Sequence, residues 1–188
     1  DLIVLRGTIR MLVGGARAVC SELSHTSLPV VSHKTEILPR VFVIAQAFLD
    51  QMEAMFSKSE FIAFCMAFEE TAPLQFHEIG SLLPALKMTL LERIAQGGLA
   101  LVEKPENRPA KGIAPYVRAF EQVLQASWKE DLESLIPFDE VLRRDPAGAY
   151  AAMDFESRHW YRERVAQMAR RSDQTEVEVA RTALALAR

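Results

Sequence analysis

Apolar residues recur every three to four positions along almost the whole chain, and no stretch shows the sustained alternation of a half-buried strand. The first run predicts a helix over 2–23, with Leu5, Ile9, Leu12, Ala16, Val19 and Leu23 along one side and Gly14-Gly15 weakening its middle. A loop over 24–29 follows. A second helix opens near Pro39, a residue tolerated in a first turn, and is striped by Leu38, Val41, Phe42, Ala45, Phe48, Leu49 and Met52. Ser57-Lys-Ser-Glu60 reads as a capping box ahead of a third helix that turns Phe61, Phe64, Cys65 and Phe68 inward. After Pro73 a short helix covers 75–82. Pro84 then kinks or restarts the chain, because it lacks an amide hydrogen and crowds the preceding turn. The continuation carries Leu83, Leu86, Leu90, Leu91 and Ile94, and Gly97-Gly98 frays its end.

Lys104-Pro-Glu-Asn-Arg-Pro-Ala-Lys-Gly112 is the clearest linker. It divides the chain into an N-terminal lobe (1–103), the linker itself (104–112) and a C-terminal lobe (113–188). In the second lobe a helix from near Pro115 is striped by Val117, Phe120, Leu124, Trp128 and Leu132. A short helix over 138–144 stops at Asp145-Pro146. Asp154 caps the next helix, which runs to Arg171 and buries Phe155, Tyr161, Val165 and Met168. Thr175-Glu-Val-Glu178 is a second capping box, leading into a terminal helix of Val177, Ala180, Leu184 and Ala187. The expected fold is all-α, a multi-helix bundle of about eight helices in two helical lobes.

Composition agrees with a packed helical chain: 188 residues are 49% hydrophobic and 25% charged, outside the ranges of disordered or disulfide-dense proteins. A net charge of −3 argues against a dedicated nucleic-acid binder, which needs clustered Lys and Arg. The mean hydropathy of +0.03 is high for a free-standing helical domain and points to a surface that packs on a neighbour. No apolar run reaches the ~18 residues of a membrane span; the longest, Val41 to Leu49, is interrupted by Gln46. Cys20 and Cys65 sit among apolar residues and read as reduced core cysteines. The chain opens at Asp1 rather than at a methionine, as expected of a processed chain or of an excised piece of something longer.

Candidate chemistry is sparse. His25 and His33 have no Cys neighbours, and His77-Glu78 lacks the second His of a zinc-protease helix, so no metal ligands and no cofactor are expected. Neither cysteine has a positioned base, Gly-x-Ser-x-Gly is absent, and the Gly-Gly pairs lack a phosphate loop's spacing and Lys. No catalytic residue is assigned. Arg158, Arg162, Arg164, Arg170 and Arg171 make the helix after Asp154 basic. That face either binds an anionic lipid, a phosphorylated sugar or an acidic partner, or is simply solvated, with Glu156 and Glu163 offsetting it. The segment from Ser172 to Arg188 has the outline of a helix-turn-helix second half, but Glu176 and Glu178 would face phosphate badly.

One segment carries a resemblance. Arg143-Arg-Asp-Pro-Ala-Gly-Ala-Tyr150, then Met153-Asp-Phe-Glu-Ser-Arg158 and Tyr161-Arg162, resembles a signature of the bacterial cyclic β-1,2-glucan synthases. The family run is close to Asp-Pro-x-Gly-x-Tyr-x-x-Met-Asp-Phe-x-Thr-Arg-Asp-x-Tyr-Arg and continues into a Glu-x-x-Val-Ala helix, matched by Glu176-Val-Glu-Val-Ala180. Ala72-Pro-Leu-Gln-Phe-His-Glu78 with Leu83-Pro-Ala-Leu-Lys-Met-Thr-Leu-Leu-Glu-Arg93 is similar to a second block, and Pro39-Arg-Val41 to a third. Ser157 replaces the usual Thr, and His159-Trp160 an acidic-Arg pair. Gln75 stands where a Thr would complete a capping box with Glu78, so that box should be lost.

The resemblance implies a soluble helical region ahead of the glycosyltransferase core of a large enzyme, on the cytoplasmic side of the bacterial inner membrane. That enzyme polymerises glucose from UDP-glucose, and the partner of this region would be its transferase domain. The residues themselves point to structure. Asp145 opens a turn, Gly148 permits close backbone approach, and Asp154 caps a helix. Tyr150 and Tyr161 bury their rings, while Arg158 and Arg162, one turn apart, clamp Asp145 or Asp154. The family glucosylates itself, but nothing local activates a phenol of pKa about 10 as an acceptor.

Overall fold

The computed structural model describes residues 2–23, 28–33, 36–52, 55–103 and 112–187. Among them are ten helices and one two-stranded hairpin, so the fold is mostly all-α. The chain divides into two compact units, one of 1–67 with 80–127 and one of 68–79 with 128–188.

The first unit contains α1 (Leu2–Leu23), β1 (Val30–His33), β2 (Glu36–Pro39), α2 (Arg40–Gln51), most of α3 (Lys58–Thr71), most of α4 (Phe76–Glu103) and α5 (Ala114–Gln125). The strands pair antiparallel, Val31 opposite Leu38 and His33 opposite Glu36, and pack on α2. Four-residue strands are too short to show alternation, so the hairpin corrects the expectation of a strand-free chain. Pro39 ends β2 and opens α2, as its fixed φ favours. Phe48 of α2 centres an aromatic cluster, its ring 5.1 Å from Phe61, 5.7 Å from Phe64 and 6.1 Å from Phe56. The Ser57 hydroxyl accepts the Glu60 N–H at 3.3 Å, in line with the expected cap of α3.

Two expectations about glycine are overturned. α4 is one continuous helix through Pro84 and through Gly97-Gly98, with no restart and no fraying between them. The glycines are notches for neighbouring side chains: a Cβ on Gly97 would stand 2.5 Å from Ile113, and one on Gly98 would stand 3.1 Å from Leu5. Gly15 likewise admits the Phe120 ring of α5, so it is a packing point of α1 rather than a weak one. These contacts place α5 in the first unit, and the chain passes between the units at 67/68, 79/80 and 127/128, none of them in the expected linker. Of that linker, 104–111 lie outside the described residues, as does His25.

Because α1 packs through Gly15 and Val19, positions turned away from them face out. Ile9 lies about 120° round the helix from Gly15 and is exposed, and Cys20, one residue past Val19, is exposed too. Only Cys65 is a core cysteine, and burial pushes its thiol up to about 12, which leaves it inert at neutral pH.

The second unit takes the last turn of α3, the first turn of α4, and then α6 (Lys129–Ser134), α7 (Pro137–Leu142), α8 (Ala149–Ala152), α9 (Phe155–Ala169) and α10 (Glu176–Leu186). The expected continuous stripe from Val117 to Leu132 is broken: α5 ends at Ala126 in extended backbone, and α6 is a separate turn behind a buried Trp128. Leu124 is exposed. α10 packs on α7 and α9, burying Val179 and Ala180, and it opens with the complete Thr175–Glu178 capping box.

Asp154 caps α9 as expected, its carboxylate accepting the Ser157 N–H at 2.8 Å. Asp154→Ala should lower stability by about 1 kcal/mol in chemical denaturation, the usual worth of such a cap. The α9 interior differs from expectation. Arg162, Val165, Ala166 and Ala169 are buried, whereas Tyr161 and Met168 are exposed. The helix is rotated so that Arg162, not Tyr161, takes the inward position, because the buried Asp139 and the largely covered Glu133 wait there.

Candidate functional site: a buried ionic lock at the signature

The signature run folds into a turn, a one-turn helix and α9. Asp145 opens the turn: its carboxylate accepts the N–H groups of Ala147 at 3.1 Å, Ala149 at 3.0 Å and Tyr150 at 3.2 Å, which hold its pKa below the usual carboxylate range. Gly148 sits at φ +64, where a side chain is strained, yet a Cβ there would meet nothing within 4 Å. Its role is therefore left-handed backbone, not the close approach expected from sequence.

Tyr150 then points inward, and its hydroxyl donates to Asp139 Oδ1 at 2.5 Å. Arg162 is 1% exposed and donates through Nε to the same Oδ1 at 2.8 Å and to the Tyr150 oxygen at 3.1 Å. Its Nη2 reaches Asp139 at 2.7 Å and pairs with Glu133. Arg158 holds Glu133 through Nε at 2.7 Å and the Met153 carbonyl at 2.5 Å. Arg143 closes the cluster on Asp139 at 2.6 Å and Glu133 at 3.2 Å. Four short elements, α6 to α9, are thus joined by two carboxylates, three guanidinium groups and one phenol.

The electrostatics follow from that count. Burial alone would raise the Glu133 pKa, but hydrogen bonds from Arg158 and Arg162 outweigh it and hold the carboxyl below its usual range. Asp139 is likewise depressed: burial is overcome by Tyr150, Arg143 and Arg162. Burial and the adjoining Asp139 push the Tyr150 phenol well up. The two acids, the phenol and the Arg143 and Arg162 guanidinium groups are each shifted further toward the protonation state they hold at neutral pH, and each is bonded to another member. A general base or a nucleophile needs the opposite, a group poised to change state.

Arg158 and Arg162 therefore clamp Glu133 and Asp139, which sequence reasoning passed over, and not Asp145 or Asp154. Those two acids are engaged by backbone N–H groups of their own turns. Asp139 stands in the first turn of α7, where an acid is commonplace, and Glu133 in the six-residue α6. The one available signal was a pair of arginines on a helix that must bury one face. The expected five-arginine face is split accordingly: Arg162 is buried and Arg158 is mostly covered, while Arg164, Arg170 and Arg171 remain exposed. Arg164 lies over the exposed Trp160 ring, 4.9 Å from its centroid.

A second feature of this unit is a cleft of about 290 Å³ lined by Gln75, Pro137, Phe138, Arg170, Thr175 and Glu176 among others. Glu176 accepts the Phe76 N–H with both oxygens, at 3.0 and 3.2 Å, and Glu78 accepts the Gln75 N–H at 3.0 Å. The Glu78 half of a capping box is thus present at Gln75, while the Glu78 N–H donates to the Gln75 carbonyl at 2.9 Å, so the reciprocal half is lost as expected. Burial raises the Glu176 pKa; the Phe76 N–H and Arg170 oppose this and Glu78 adds to it. Burial, then Arg170, lowers that of His77. Among the described residues no three His, Cys, Asp or Glu side chains are grouped to hold a metal, and no helix is long and apolar enough to cross a membrane. No family model, curated protein or solved structure matches the chain.

Proposed function

We propose that this chain is a non-catalytic helical scaffold module of a cyclic β-1,2-glucan synthase-like membrane glycosyltransferase, positioning the transferase domain of a parent enzyme that polymerises glucose from UDP-glucose. The observation that carries the reading is the use of the signature's own residues. Asp145, Gly148, Tyr150, Asp154, Arg158 and Arg162 each serve a turn, a cap or the buried ion-pair cluster. Tyr161 packs edge-on to Tyr150 at 6.1 Å. A run spent in this way specifies a shape.

On this reading the purified chain neither hydrolyses UDP-glucose nor transfers glucose from it; measurable turnover by the chain alone overturns the proposal. In its gene, the reading calls for transmembrane segments and a transferase core in the same open reading frame, and a short stand-alone frame counts against it.

A further inference from the structure

We infer that the outer face of α1 is a docking surface for an anionic lipid bilayer. Arg6, Arg10, Val13 and Arg17 follow one another at i, i+4, i+7 and i+11, a single ridge on the side opposite Gly15 and Val19. All three arginines are exposed, and none forms an ion pair with an acid among the described residues. Between Asp1 and Glu22 the sequence has no Asp or Glu, and Glu22 is itself held by Lys87 at 3.4 Å. Beside this ridge, and at Val13 within it, stand apolar side chains that a solvated helix has no reason to display: Ile3 is 88% exposed, Ile9 58% and Val13 45%.

The pairing selects the occupant. Nucleic-acid phosphates would use the arginines and leave the isoleucines in water. A bilayer surface uses both, the guanidinium groups lying among anionic headgroups and the aliphatic side chains entering the acyl boundary. The helix lies on the surface and does not cross it, since three arginines rule out a span. The attraction is local, because the chain as a whole carries −3. It is independent of α9, whose exposed arginines belong to another helix.

The test is co-sedimentation of the full chain with vesicles of phosphatidylcholine alone or mixed equally with phosphatidylglycerol. The chain should pellet with the mixed vesicles, fail to pellet with the neutral ones, and be released as salt rises to about 0.5 M. Combining Arg6→Gln, Arg10→Gln and Arg17→Gln should weaken binding roughly a hundredfold, from about 1 kcal/mol per surface arginine. Ile9→Ser with Val13→Ser should weaken it about tenfold with the arginines intact. These positions are exposed, so melting temperatures should hold. Arg164→Gln on α9 together with Arg171→Gln just past its end should change nothing. Equal binding to both vesicle types, full binding by the triple variant, or loss only in the α9 pair overturns the assignment.

Discussion

Arg162→Ala is expected to destabilise the chain by about 3–5 kcal/mol, because it leaves the buried Asp139 and the largely covered Glu133 without the one fully buried cation that both share. Alanine also removes the donor to the Tyr150 oxygen, so four helices lose their common tie. The cost should depend on pH in a defined direction. Both acids are depressed in the folded chain, so the stability they contribute is complete above the ordinary carboxylate range and is lost as pH falls through their lowered values. In the variant, burial acts with less opposition and favours the protonated acids. The gap between wild type and variant should therefore be widest near neutrality and narrow below about pH 4. Urea denaturation at several pH values measures it; a gap independent of pH would mean that the arginine acts through packing alone.

Phe120→Ala should cost a similar amount, about 3–5 kcal/mol, for a different reason. The ring is fully buried and fills the notch at Gly15, where an added Cβ would stand 2.9 Å from one ring carbon and closer to another. Gly15→Ala alone overpacks the same contact and should cost about 1–3 kcal/mol. In the double variant the alanine methyl enters space the ring has vacated. The combined loss should then fall short of the sum by 1 kcal/mol or more, as expected of residues in direct contact. Additive losses would show that the two positions do not meet.

Much of the helical framework was legible because period and caps are local properties. Thr175-x-x-Glu178, Asp154 and Pro39 each mark a helix start within a few residues of chain, and the structure uses each as the pattern suggests. What escaped depends on residues distant in sequence. Gly15 and Gly97 look like weak points until Phe120 and Ile113 are seen to fill them. Tyr161 and Met168 outrank an arginine by hydrophobicity, so an apolar stripe places them inside. Only the carboxylates of α6 and α7 make Arg162 the better interior residue. Gly148 was singled out correctly as a necessary glycine but for the wrong cause, since steric crowding and positive φ leave the same mark on a sequence.

The Phe76 amide is capped by Glu176, one hundred positions further along the chain. That cap, together with the division of the molecule at 68–79, 80–127 and 128–188, sets an order of assembly. As the polypeptide leaves the ribosome, residues 68–79 emerge ahead of 80–127 and must wait through all of that stretch before the helices they join are made. The first unit can consolidate meanwhile. Chains truncated before α10 should therefore retain a protease-resistant N-terminal body while the later segments are digested.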